Sequence, residues 1–340
     1  MTTKILKQPF LDPSKTTILV TGASGFIGSH VVKEALLLGY SVRGTARTQQ
    51  KADATTNLFN SPKYSTAIVS DFTHDTDGIA SAVKGVDAII HVASDTTFSD
   101  DVDAVVGGVV KGVNHFLEAA SREPTIKRFV LTSSSTAALL PIPNKEITVT
   151  KDTWNDTAVD AAFNKKGESV GPNPYPFIVY AASKTEGERA MWKFVQEKKS
   201  HFQANAVLPN ANTGRILDSP GATGGMAVGV WKDGNRPKMV PQWYIDVIDD
   251  ARLHIIAAVC DEKLVDERIF AFAGPFNMND LVETVNKAKS GGKEGAIDER
   301  EGRDLSKIPN ELGAKLLEEW YGQKGYKSFD DSIKENLEKC

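Results

Sequence analysis

Cysteine is nearly absent: the 340 residues hold two, Cys260 and Cys340. They are too few and too far apart to staple a small scaffold or to build a thiolate zinc cluster, and such sparse use suits a reducing, cytoplasmic setting. Histidine is scarce as well, and the six present show no metal-ligand spacing, so no metal is expected. A basic surplus is missing, since 40 Lys and Arg stand against 44 Asp and Glu for a net charge of −4. That balance argues against nucleic acid as a partner, because phosphate-backbone binding needs a basic stripe or excess. Long apolar runs are missing too. None approaches the ~18 to 20 residues that span a bilayer, and Met1 to Lys15 lacks the apolar centre of a secretory signal. Cys340, standing last, is not placed as a prenylated cysteine would be. The expectation is a soluble, unprocessed protein. Asn155-Asp156-Thr157 has the pattern of a glycosylation acceptor, but without a secretory signal it reads as chance in a polar loop.

What remains is ordinary globular material, 41% hydrophobic and 25% charged, long enough at ~150 residues per domain for one large or two coupled domains. Short apolar runs bounded by turn residues alternate with amphipathic stretches, the rhythm of βα units around a parallel sheet. Strands are predicted at Thr17 to Thr21, Ser41 to Ala46, Ser65 to Ser70, Val86 to Val92, Arg128 to Thr132 and Ala204 to Leu208. Helical patterns fall at Ile27 to Leu38, Ile79 to Val83, Val102 to Ala120 and Tyr180 to Glu197. The strands are too apolar to keep a wet face, so helices should cover both sides in a doubly wound α/β (Rossmann) fold. Pro141 to Pro176 reads as a long irregular loop, and from Gly214 to Pro241 the alternation gives way to Gly- and Pro-rich sequence. Further on, a helix is expected at Asp246 to Val259, a returning strand at Ile269 to Ala273, and closing helices at Leu312 to Trp320 and Ser332 to Leu337. The division expected is a dinucleotide-binding domain over 1–210 with a returning segment at about 245–275, and a smaller, irregular substrate-binding region from 211–244 and 276–340.

The first strand runs into Thr21-Gly22-Ala23-Ser24-Gly25-Phe26-Ile27-Gly28 and then a helix. At that turn each glycine meets a separate steric need, Gly22 for the tight bend, Gly25 for approach of a pyrophosphate and Gly28 for packing of helix on sheet. The helix N-terminus supplies free N–H groups for the phosphates. An NAD-selective site would carry an acid at the end of the second strand. Here Val42-Arg43-Gly44-Thr45-Ala46-Arg47 has none, and its two guanidiniums suit the 2′-phosphate of NADP. Asp71 could accept from an adenine amino group or cap the turn toward Asp75.

In Tyr180-Ala181-Ala182-Ser183-Lys184 the phenol and ammonium are four residues apart, on one helix face. A unit charge ~4 Å away at an effective dielectric of ~20 is worth about 4 kcal/mol, enough to bring a phenol from near pH 10 toward 7 and make it a usable general acid. The fifth strand ends in Thr132-Ser133-Ser134-Ser135-Thr136, where a hydroxyl can donate to a carbonyl oxygen as charge develops. His91 reads as hydrogen-bonded structure lining the groove.

These segments, with Asp71-Phe72 and His91-Val92-Ala93, resemble the extended short-chain dehydrogenase/reductase superfamily. The arginine segment and Asn205-Ala206-Val207-Leu208-Pro209-Asn210 resemble its branch of dihydroflavonol reductases and yeast and fungal NADPH-dependent carbonyl (aldehyde) reductases. The resemblance implies NADPH/NADP+ as cofactor and a small carbonyl compound as substrate. Ser134 would polarise the carbonyl, with Ser133 and Ser135 as alternatives one place away; Tyr180 would donate the proton and Lys184 would hold the nicotinamide ribose. It further implies cofactor contacts from Gly22, Ser24, Gly25, Phe26, Ile27, Gly28, Asp71, Phe72, Ala93 and Pro209, with Arg43 first and Arg47 second at the 2′-phosphate. Departures count as well. Ser135, Thr136 and Ala137 stand where nucleotide-sugar dehydratases carry acids, Leu208 where epimerases carry arginine, and Leu139 where dihydroflavonol reductases carry an amide. Phe98, Leu140, Tyr175, Trp231, Met239 and Trp243 are candidate apolar walls of the pocket. A nucleotide-sugar epimerase or dehydratase, or a non-catalytic NADP-binding regulator, are the alternatives, and the assembly is expected to be a monomer or homodimer.

Overall fold

The computed structural model describes residues 5–261, 263–288, 291–293 and 295–338; Cys340 and the start of the Met1 to Lys15 segment lie outside them. Along the chain run β1 (Thr17–Thr21), α1 (Phe26–Leu37), β2 (Ser41–Ala46), α2 (Gln49–Phe59), β3 (Tyr64–Ile68), α3 (Thr76–Val83), β4 (Ala88–His91), α4 (Val102–Arg122) and β5 (Arg128–Thr132). A 3-10 turn at Ser135–Ala137 leads to α5 (Asp156–Asn164), α6 (Tyr175–Lys198), β6 (Gln203–Pro209), β7 (Ala211–Thr213), α7 (Met226–Asp233) and β8 (Gln242–Asp246). Then come α8 (Val247–Val259), β9 (Arg268–Ala271), β10 (Gly274–Phe276), α9 (Met278–Ala288), α10 (Glu311–Tyr321) and α11 (Phe329–Asn336).

Seven strands form one parallel sheet in the order β3-β2-β1-β4-β5-β6-β9. The chain winds outward from β1 through β2 to β3, then returns to lay β4 on the other side of β1. That reversal opens a crevice at the carboxyl ends of β1 and β4, the place where ligands bind in doubly wound sheets. Central strands such as TILVT and RFVLT are buried almost throughout because both faces are covered. On one face α1, α8 and α10 build a core around Val31, Val32, Leu253, Ile256, Leu317 and Trp320. On the other, α3, α4 and α6 build a second around Ile79, Phe116, Leu117 and Met191.

Beyond β6 the small sheet β10-β8-β7 packs with α7, α9 and α11 around Val230, Phe276, Met278, Leu281 and Ile333. α10 lies apart from this group in its packing and belongs to the core of the large sheet, although it falls in the 276–340 stretch expected to serve the substrate region.

The sequence reading missed several elements. α2 is almost wholly polar, burying Ala52 and Thr55 alone; its start is fixed by Thr48, whose hydroxyl accepts from the Lys51 N–H. α5 lies inside the stretch expected to be irregular. Its cap is Asn155, which accepts from the Ala158 N–H and donates to the Thr136 carbonyl at 2.7 Å. With that side chain only 4% exposed, the glycosylation pattern is structural. α6 begins at Tyr175, five residues earlier than expected, with Pro176 in its first turn where a missing N–H costs nothing. Among the described residues no helix is long and apolar enough to cross a membrane, and no group of His, Cys, Asp and Glu could hold a metal ion.

Candidate active site

β1 and β4 are tied at their exits by Thr21, whose hydroxyl accepts from the Ala93 N–H at 3.0 Å and lies 3.1 Å from His91 Nδ1. The turn that follows is backbone-limited. Gly22 has φ +65, and a Cβ on Gly28 would stand 2.1 Å from the Gly22 carbonyl oxygen, so this helix cannot approach the turn with any larger residue there. No side chain caps α1 at Gly25, which leaves the N–H groups of Phe26, Ile27 and Gly28 to an anion. Ser24 sits between the glycines in the same turn. The glycines thus form a cradle at an open helix end.

Arg43 and Arg47 part company. The Arg43 guanidinium donates to the carbonyls of Ala82 and Lys84, both at 2.8 Å, where α3 ends. Because α3 feeds the start of β4, that is the amino edge of the sheet, away from the crevice. Arg43 is therefore corrected from first cofactor cation to a brace between β2 and α3. Arg47 is exposed one residue beyond the end of β2, on the carboxyl edge, with Lys51 in the first turn of α2 close after it in sequence. Asp71 spends both carboxylate oxygens in its own turn, on the Thr73 N–H and hydroxyl at 2.7 Å and on His74 at 2.9 Å. Those bonds hold its carboxyl below the usual range, the local role that the sequence left open beside adenine recognition. Phe72 packs on the rings of His91 and Phe116, and Pro209 is buried at the end of β6. Burial, helped by Lys184, lowers His91 to about 3, so it is a neutral lining group.

The three hydroxyls at the end of β5 divide cleanly. Thr132 Oγ1 meets His254 Nε2 at 2.8 Å, Ser133 donates to Glu188 at 2.6 Å, and the Ser134 hydroxyl lies near enough to the Tyr180 phenol to act on its ionisation. The structure thus brings Ser134, rather than Ser133 or Ser135, to the phenol. Ser134 is in extended conformation and 6% exposed, and it also accepts from the Thr136 N–H and hydroxyl. Lys184, one helical turn along α6, is 6% exposed; its Nζ donates to the Thr132 carbonyl at 3.1 Å and stands 5.9 Å from the centre of the Tyr180 ring.

The electrostatics overturn one expectation. Burial raises the Tyr180 phenol above its ordinary value, opposed by the Ser134 hydroxyl, and Lys184 is not among the causes. The ammonium is itself pulled down to about 8 by burial, with Glu188 opposing. The protein alone therefore keeps the phenol protonated and does not acidify it.

Of the expected pocket walls, Phe98 faces the phenol: its ring lies 5.1 Å from that of Tyr180 and 6.5 Å from that of Phe177. Phe98 is 39% exposed and holds a positive φ of 51. Leu140 and Tyr175 belong to the packed core between α4, α5 and α6, where the Tyr175 hydroxyl donates to the Ala162 carbonyl. Trp231 and Met239 pack on the small-sheet core, Trp243 on the large-sheet core beside Phe272. Leu139 is buried in that same large-sheet core. Phe177 and Glu188 were missed. Glu188 left a signal, since it continues the Tyr180 and Lys184 spacing by four.

A doubly wound sheet with a glycine cradle at its first crossover, and a Ser, Tyr and Lys group beside its switch point, has the architecture of a dinucleotide-binding protein. The chain belongs to the NAD dependent epimerase/dehydratase family, whose model matches residues 18–211. It is 36% identical over 333 residues to aldehyde reductase 2 of Sporidiobolus salmonicolor, covering 95% of each chain. It is also 36% identical over 337 residues to a ketoreductase of Penicillium rubens, covering 96% of this chain and 97% of the relative. Among solved structures it is similar to Gre2 of Candida albicans in complex with NADPH, at 26% identity and a TM-score of 0.79 over 95% of this chain and 98% of that one.

Proposed function

We propose that the protein is an NADPH-dependent reductase that converts aldehydes and ketones to alcohols. The observation that carries this reading is the grouping of Ser134, Tyr180 and Lys184 at the end of β5, on the sheet edge that also holds the glycine cradle. Relatives named aldehyde reductase and ketoreductase over nearly the full chain, and a solved neighbour bound to NADPH, support it.

The cradle fits the cofactor: an uncapped helix end for the diphosphate and Arg47 at the strand exit for the 2′-phosphate. Ser24, Phe26 and Ile27 would line the turn, Phe72 and Ala93 the groove, Pro209 the nicotinamide end, and Lys184 the ribose. Bound NADPH supplies the hydride. Ser134 donates a hydrogen bond to the carbonyl oxygen and offsets the charge that develops there. Tyr180 delivers its proton to the same oxygen, and its raised pKa keeps that proton in place at neutral pH. Lys184, charged below about pH 8, donates to the Thr132 carbonyl and would hold the ribose as a cation. Phe98 and Phe177 give the phenol an apolar, aromatic flank, which favours aryl and alkyl ketones over charged ones. No acid follows Ser134 in Ser135, Thr136 and Ala137, so sugar dehydration lacks its proton donor.

The reading extends to a substrate region formed by the small sheet and its helices, and to a monomer or homodimer in a reducing, cytoplasmic compartment, in keeping with the buried free thiol of Cys260. A panel of carbonyl compounds followed by NADPH absorbance, repeated with NADH, tests it. Turnover of aryl or alkyl ketones with NADPH preferred is expected. No turnover across the panel, with a nucleotide-sugar raising the melting temperature instead, would overturn it.

A further inference from the structure

Behind the reactive trio lies a buried charge pair that the reaction does not touch. Glu188 is 0% exposed and shares the α6 face of Tyr180 and Lys184. Its Oε1 accepts from Arg268 Nε at 2.7 Å and from Trp192 Nε1 at 3.0 Å; its Oε2 accepts from Arg268 Nη2 at 3.2 Å and from Ser133 Oγ at 2.6 Å. Arg268, on β9, is in turn fixed by the carbonyls of Lys151 and Thr153 at 3.0 and 2.6 Å and by the Trp154 ring, 4.1 Å from its guanidinium. Four of the five N–H donors of Arg268 and both carboxylate oxygens of Glu188 are engaged. Such a pair gains little stability over apolar residues of the same volume, because desolvation offsets the attraction. Its position points to another purpose: one carboxylate reaches Ser133, the neighbour of Ser134, and lies one helical turn from Lys184.

We infer that Glu188, held by Arg268, is a positioning residue for carbonyl reduction, fixing the β5 exit through Ser133 so that Ser134 meets Tyr180, and serving as the buried counter-charge of Lys184. This rests on the reductase reading above. The backbone of Ser133 is pinned to the Val207 carbonyl at 2.9 Å, so its hydroxyl bond to Glu188 sets the direction in which the chain leaves the strand. The charged and titratable groups around Lys184 are Tyr180 and Glu188 on α6 and neutral His91 on β4, with Arg268 of β9 behind Glu188. Glu188 is the negative one. Without it the protonated form of Lys184 retreats to lower pH.

The test compares wild type with Glu188→Gln, with the double variant Glu188→Met/Arg268→Met, and with Ser133→Ala, measuring kcat, KM and melting temperature from pH 6 to 10. A misdirected hydroxyl is expected to lower kcat roughly 10- to 100-fold, with both KM values held within about threefold. The alkaline limb of kcat is expected to move to lower pH in Glu188→Gln. The double variant removes the unpaired-charge penalty, so it should regain thermal stability and stay slow. Recovery of kcat together with stability in the double variant would reduce the pair to a fold element and overturn the inference. Should the double variant fail to fold, Ser133→Ala decides: it keeps the charge pair and is expected to lose kcat several-fold, and wild-type kcat there overturns the inference. A wild type inert toward all carbonyls would instead overturn the reductase reading, and this inference with it.

Discussion

Two arginines four residues apart in sequence are assigned opposite jobs, and exchanging each for alanine separates them. Along a strand the rise is ~3.3 Å per residue, so Arg43 and Arg47 have Cα atoms ~13 Å apart and stand at different levels of the sheet. Arg43 is committed to two carbonyls at the amino edge of the sheet, while Arg47 is exposed at the carboxyl edge. A charge-assisted hydrogen bond is worth about 1.5–3 kcal/mol, which at 1.4 kcal/mol per decade is roughly 10- to 150-fold in affinity. Arg47→Ala is therefore expected to raise the Kd for NADPH by that factor and to leave the Kd for NADH unchanged. Arg43→Ala, which frees two partly exposed carbonyls, is expected to lower stability by about 1 kcal/mol and to change neither cofactor Kd by more than about twofold. Cofactor fluorescence titration with a thermal melt on each variant reads all of these. An Arg43→Ala protein that loses NADPH selectively, beside an Arg47→Ala protein that does not, would refute the assignment.

Gly28→Ala places a Cβ at 2.1 Å from the Gly22 carbonyl oxygen; a stability loss of about 1–3 kcal/mol is expected, with weakened NADPH binding, by thermal melt and cofactor titration. The pH dependence follows from Lys184, whose proton affinity is reduced by burial to about 8. Its charge, and with it kcat for reduction, is expected to fall above that pH, well below the ordinary lysine range near 10.5. A kcat flat to pH 10 would contradict this.

Strands buried on both faces announce themselves as apolar runs, so β1, β4, β5, β6 and the glycine turn were legible in the sequence. α2 was not, because a helix with two buried residues has no apolar stripe to read. β7, β8 and β10 are three to five residues long and pair across the chain, so their signal is topological. Tyr180 and Lys184 could be read from the helical repeat; the choice of Ser134 could not, since three successive serines differ only in which partner each meets. The phenol's pKa was misjudged because the repeat gives proximity to a charge and says nothing of the desolvation that opposes it.

The most direct test of the account is NADPH oxidation by Tyr180→Phe on a reactive keto ester, beside a cofactor titration of the same variant. Loss of the proton donor is expected to cost roughly 10²- to 10⁴-fold in kcat while NADPH still binds. Turnover equal to wild type would contradict the account.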